Sequence, residues 1–142
     1  MYKSINEIIN EIEESPSTES QLALVRKYAQ EIPYVKPFLK WAVLNNKTPT
    51  FDKIPEYTQN MVGITFSYIK LENALKSLPY FFAGPNYMAN KKRKMDKLFS
   101  ILQEMSWLET SLYEDLVMNK FKHKVLTKEF VMEAFPSMEL VA

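Results

Sequence analysis

With 142 residues, 46% hydrophobic and 13% aromatic side chains, the chain has the size of one domain and the means to bury a core without covalent staples. Zero cysteines exclude a disulfide scaffold, thiolate metal sites and thiol catalysis, and two glycines, Gly63 and Gly84, are too few for the hairpins and bulges of a sheet-rich fold. The net charge of +1 conceals an asymmetry: residues 1–31 hold three basic side chains against six acidic ones, and residues 90–128 hold nine against five.

Ser4 caps a first helix with Ile5, Ile8, Ile9 and Ile12 at helical spacing and glutamates on the opposite face. Ser15-Pro16-Ser17 breaks it. Thr18 with Gln21 three residues on forms a capping-box pattern for a second helix, with Leu22, Val25 and Ala29 inward, ending before Pro33. A third helix spans about Tyr34 to Leu44 with a stripe of Val35, Phe38, Leu39, Ala42 and Val43. Pro37 falls in its first turn, where a missing N–H costs least, and Asn45-Asn46 can end it. Residues 46–62, with Pro49 and Pro55, read as a long connection pinned by Phe51, Ile54 and Tyr57. The pattern then predicts a fourth helix over about 64–78 (Phe66, Ile69, Ala74 and Leu75 inward) and an aromatic loop between Pro79 and Pro85. A fifth helix follows over 91–105, with Met95, Leu98, Phe99, Leu102 and Met105 inward. The sixth covers about 108–121, and the seventh runs from Lys128 to Phe135, capped by Thr127, with Phe130, Val131 and Ala134 inward. The fold expected is all-α: one compact bundle of about seven helices in a single domain, 1–142. No apolar run approaches the roughly 18 residues of a membrane span. The acidic amphipathic start, MYKSINEIINEIEE, is unlike a secretory signal, so an intracellular protein with no membrane partner is expected.

Catalytic signals are weak. The single histidine, His123, lies between Lys122 and Lys124 with no nucleophile or carboxylate placed beside it by a motif, and reads as a solvated turn residue. Glu7, Glu11 and Glu14 have metal-ligand spacing, as Glu109 and Glu114-Asp115 do more loosely. Without a histidine or a second acidic helix these are solvated faces. A phosphate-binding loop needs two glycines close together, and these are 21 residues apart. No enzyme activity, cofactor, metal or small-molecule substrate is expected.

The basic residues are more informative. Lys91, Lys92, Arg93 and Lys94, with Lys97, open the fifth helix. Positive charge there opposes the helix macrodipole by about 0.3–1 kcal/mol per badly placed group, so a sequence selected for folding alone would carry acids instead. Lys120, Lys122, His123, Lys124 and Lys128 surround the turn before the seventh helix, where backbone N–H groups and lysines together suit a phosphate. With two arginines in the chain, bidentate reading of guanine is not expected, and contact with nucleic acid would be backbone-directed and salt-dependent. Tyr80, Phe81, Phe82 and Tyr87 flank Gly84-Pro85 and can stack on bases, anchor a protein partner or plug the end of a bundle. Trp41 and Trp107 read as core.

One stretch, LYEDLVMNKFKHKVLTKEFVMEAFP from Leu112 to Pro136, combines a leucine-bearing helix, a basic turn and a capped helix ending at proline. With Leu98, Leu102, Glu114-Asp115-Leu116, Lys122-His123-Lys124, Thr127, Val131 and Phe135-Pro136, the segment from Asp96 to Met138 resembles the end of the N-terminal helical DNA-binding domain of phage ATP-dependent DNA ligases. The front half, through Phe38-Leu39-Lys40-Trp41 before a proline-bearing connection, resembles the same domain more loosely. Leu98-Phe99, Leu102-Gln103-Glu104 and the ending Thr127 to Pro136 are similar to small stand-alone proteins of T-even-like myoviruses. A ligase also needs an adenylation domain with a nucleophilic lysine, and no such motif surrounds Lys91 to Lys94. The resemblance therefore implies a ligase-like DNA-binding fold without ligase chemistry, in a phage accessory protein working in the cytoplasm of the infected host. Its expected partner is duplex DNA, bound through phosphates. The alternative is a host protein such as RNA polymerase, met by the aromatic loop and the acidic first helix.

Overall fold

The computed structural model describes residues 4–43, 51, 53–82 and 91–138. The chain is all-α, with seven α-helices and no strand among these residues: α1 (Ile5–Glu14), α2 (Thr18–Glu31), α3 (Val35–Val43), α4 (Leu71–Ala74), α5 (Lys91–Glu104), α6 (Trp107–Val117) and α7 (Lys128–Ala134). Its contacts divide it into two compact units, one formed by residues 1–44 with 122–141 and one by residues 45–121.

In the first unit α2 packs on α1, α3 and α7. The Ser4 side chain accepts from the Glu7 N–H at 3.3 Å, and the isoleucine stripe of α1 is buried along its length. The cap of α2 is Ser17 rather than Thr18, its hydroxyl accepting from the Ser20 N–H at 3.1 Å. Leu22 and Val25 are buried as expected, and the next inward residue at the same i, i+3 spacing is Tyr28 rather than Ala29, with its hydroxyl on Glu11. Gln21 donates to the Ile12 carbonyl at 3.2 Å and fixes the angle at which α1 hands over to α2. Arg26 reaches the end of α7, donating from Nε to the Ala134 carbonyl at 3.1 Å and from Nη2 to that of Glu133 at 3.0 Å. A cation there satisfies orphan carbonyls and complements the negative helix end. On α3 and α7 the predicted stripes are buried as read.

The second unit is built around Tyr113 of α6, which is fully buried and donates to the Ala74 carbonyl at 2.9 Å. Burial holds its phenol far above the ordinary value, so it remains a donor. The Phe81 ring meets Tyr113 edge-on, centroids 6.5 Å apart, and Phe51 lies 6.0 Å from Phe81. The predicted fourth helix does not form as one element. Residues Ile64–Phe66 make a 3-10 turn, 67–70 are non-helical with a bend at Tyr68, α4 has four residues, and Leu75–Phe81 tighten into a 3-10 helix. Main-chain competition explains the break. The Ile69 N–H bonds to the Glu104 carbonyl at 3.2 Å, one of the orphans at the end of α5, and the Ser67 hydroxyl donates to Ile64 O at 2.8 Å. Pro79, inside the 3-10 stretch, has no N–H to continue an α-helix. At the α5–α6 junction, buried Ser106 donates to the Val62 carbonyl at 2.6 Å while capping α6, and the Trp107 N–H meets the Asn60 carbonyl at 2.9 Å. Residues 60–69 are thereby strapped across that junction. The expected contacts at Asn45-Asn46 and within Gly84–Asn90 lie outside the described residues.

Candidate nucleic-acid interface

The Lys91–Lys97 cluster occupies the first two turns of α5, with no acidic residue in the first turn. Lys92, Arg93 and Lys97 are exposed and Lys91 is half-buried. Lys94 corrects the sequence reading. It is 7% exposed, and its Nζ lies 5.5 Å from the centre of the Tyr80 ring, with that of Lys97 5.8 Å from the same ring. The reason is helical phase. Lys94 falls one turn before Leu98 on the inward stripe Leu98, Ile101, Leu102, while Met95 and Phe99 turn partly outward. A cation over an aromatic face is attracted by the ring quadrupole, so Tyr80 underpins the basic helix.

The second basic group is split between the units. Lys120 follows α6, which stops at Val117 because Asn119 adopts a left-handed φ of 56°. The Lys120 N–H bonds to the Asp115 carbonyl at 2.8 Å. Burial raises the Asp115 carboxyl above its usual value, and the Lys120 charge pulls it back. Lys122, Lys124 and Lys128 are exposed in the first unit. His123 is not a solvated turn residue. Its Nδ1 accepts from the Val125 and Leu126 N–H groups at 3.0 and 3.1 Å, and its Nε2 meets the Glu13 carboxylate. An accepting Nδ1 assigns the ring proton to Nε2, which donates to Glu13. The imidazole thus holds the turn shut. The Phe130 N–H goes to Thr127 Oγ1 at 3.2 Å and the Thr127 N–H to the Val125 carbonyl at 2.8 Å. The amides of Val125, Leu126, Thr127 and Phe130 are thus engaged internally, and the lysine ammonium groups stand around them.

The aromatic loop is divided. Phe81 is fully buried and Phe82 is 8% exposed, so these rings plug the second unit and are not available to a partner; Tyr80 is 39% exposed. Tyr87 lies outside the described residues. The exposed apolar side chains are elsewhere, at Met61 (67%), Phe66 (81%) and Tyr68 (87%), with Trp107 and Leu108 partly exposed. Phe66 was placed inward by a helical period that the chain does not adopt. No side-chain pattern would have found them, since an aromatic–serine–aromatic alternation reads as aromatics inward and Ser67 outward, the reverse of what the structure shows.

Among the described residues no group of three His, Asp or Glu side chains is gathered to hold a metal ion. Glu109 is buried and accepts from the Leu71 N–H at 3.1 Å, capping α4 from a distance. Burial pushes its carboxyl above the usual range, with the Leu71 bond and Lys70 acting in the other direction. Tyr57 donates to Glu114 Oε1 at 2.9 Å beside a shallow depression lined by Ile54, Pro55 and Gln59. Burial, then Glu114, raises the Tyr57 phenol, which holds it protonated, the reverse of an activated nucleophile. No helix of the described residues is long and apolar enough to cross a membrane.

Compared with protein-family models, curated proteins and solved structures, the chain matches none.

Proposed function

We propose that this chain is a non-catalytic, phage-encoded accessory protein of DNA transactions that docks on duplex phosphates through the basic opening of α5. The observation that carries the reading is the exposure of Lys92, Arg93 and Lys97 on two turns whose start has no acid to offset them. Lysines and arginine at a helix start oppose the macrodipole, and an external polyanion removes that conflict. Lys120, Lys122, Lys124 and Lys128 supply further ammonium groups, whereas His123 and Lys94 hold structure. The ligase-like segment from Asp96 to Met138 favours the same partner, and the infected host's cytoplasm is the corresponding place of action. Fluorescence anisotropy with labelled nicked and intact duplexes at about 50 and 200 mM salt tests the proposal. Affinity that falls by orders of magnitude over that range is expected for several phosphate contacts. Equal affinity at both salts, or none at the lower, would reject it.

A second reading, a regulator that binds a host protein such as RNA polymerase, is favoured by the exposure of Met61, Phe66 and Tyr68. It rests on that strap and not on Phe81 and Phe82.

A further inference from the structure

Six apolar side chains of the second unit stand uncovered in one place, and neither its core nor the basic patches use them. Residues 60–69 are tied at both ends to the α5–α6 junction. The Trp107 N–H and the Ser106 hydroxyl hold the carbonyls of Asn60 and Val62, and the Glu104 carbonyl holds the Ile69 N–H. Between these anchors the chain turns tightly, with the Phe66 N–H on the Gly63 carbonyl at 3.0 Å and the Ser67 N–H on that of Ile64 at 3.2 Å. Met61, Val62, Phe66 and Tyr68 therefore stand in one short loop beside the start of α6, where Trp107 and Leu108 are partly exposed. Neither the Phe66 ring nor the Tyr68 side chain has a hydrogen bond or ring contact among the described residues.

Two properties of this face say what can cover it. The first is area. With about 150–250 Å² per aromatic side chain, the six leave on the order of 700 Å² to solvent, above the roughly 300–600 Å² of the largest apolar patch on an ordinary monomer and close to what each side of a standard-size interface gives up, about 800 Å². The second is charge. No Asp, Glu, Lys, Arg or His lies between Glu56 and Lys70, or between Glu104 and Glu109. A polyanion finds no cation on this face, and a charged protein surface would lose hydration there without meeting a counter-charge. Around a two-fold axis a patch meets its own image, so any charge near the axis faces its own sign; a face without charges is spared that repulsion. The net charge of +1 adds little repulsion at longer range. We propose that the 60–69 strap, with Trp107 and Leu108, is an isologous interface between two copies of this chain, in which Phe66 and Tyr68 of each copy are buried against the other. The pair carries two sets of α5 cations, so on the duplex reading above it doubles the ammonium groups offered to one DNA molecule. The pairing itself does not depend on that reading.

Sedimentation velocity of the full chain without DNA, from about 1 to 200 µM and at about 0.15 and 0.5 M salt, tests the proposal. The 16.7 kDa chain should pass reversibly to a species of twice its mass with a midpoint in the micromolar range, and the higher salt should not weaken it, because no charge is screened. Phe66→Ser with Tyr68→Ser should weaken pairing by at least about thirtyfold, the loss of two central aromatic anchors, while leaving the circular dichroism of the dilute monomer unchanged. In a chain carrying Trp41→Phe, the emission of the remaining indole, Trp107, should shift to the blue over the same concentrations. Lys92→Ala with Arg93→Ala and Lys97→Ala should pair like the native chain, so the interface and the α5 reading fail separately. Pairing that the double aromatic variant keeps, or that the higher salt abolishes, would overturn the proposal. So would growth past two copies, since an isologous contact closes on itself. A chain that stays monomeric throughout would overturn it too, and would leave the strap to a different protein.

Discussion

His123 and Glu109 show how a polar residue that reads as chemistry in a sequence can be structural. His123 supplies one acceptor for two backbone N–H groups, and its removal leaves those amides to find water in a half-buried turn. His123→Ala is expected to cost about 1–3 kcal/mol in urea unfolding, with duplex affinity of the folded protein unchanged. Glu109 differs because burial raises its carboxyl. A raised acid binds its proton more tightly folded than unfolded. Its contribution to stability is therefore fully present below the usual carboxylate range and is lost as pH rises through the folded value. Glu109→Gln keeps an acceptor for the Leu71 N–H and removes the titration. Its stability relative to the native chain should rise from acid to neutral pH in urea titrations; a relative stability that stays constant or falls would show that burial does not raise the Glu109 carboxyl. Glu109→Ala orphans the Leu71 N–H and is expected to cost about 1–3 kcal/mol below the carboxylate range.

At the scale of elements, the strap over residues 60–69 and the plug at Phe81 exchange the roles that aromatic content suggests. Phe81→Ala should cost about 3–5 kcal/mol, since the ring is buried between Phe51 and Tyr113. Phe66→Ser or Tyr68→Ser should change stability by no more than about 0.5 kcal/mol, because each side chain is more than four-fifths exposed. Thermal unfolding of the three variants measures both. The helices α1, α3, α5 and α7 were legible in sequence because each has an amphipathic stripe, and Ser4 and Thr127 mark two of their starts. The strap was not legible. Its course is set by main-chain bonds from Ile69 and Trp107, which leave no trace in side-chain pattern, together with the Ser106 hydroxyl on the Val62 carbonyl, whose partner in the strap is again a main-chain group. Three of the five α5 cations, Lys92, Arg93 and Lys97, are exposed as the cluster suggests, while Lys91 is half-buried and Lys94 is buried, because composition shows a cluster and only helical phase shows which member turns inward. Trp41 and Trp107, both partly exposed, were hidden for the opposite reason, since a large apolar residue in a helix is expected in the core until its face is known.

For the whole molecule, a net charge of +1 offers no general attraction to a polyanion, so any binding must come from local patches. Exposed cations act over about a Debye length, roughly 10 Å at 0.1 M salt, which makes salt the discriminating variable. The decisive measurement is the slope of log K against log salt for an intact duplex, with the native chain and with Lys92→Ala, Arg93→Ala and Lys97→Ala combined. Each phosphate contact contributes about −0.9 to the slope on duplex DNA. A steep native slope that flattens by about 2 to 3 in the triple variant is the expected result. A native slope near zero, or a steep slope that the three substitutions leave unchanged, would contradict docking through α5.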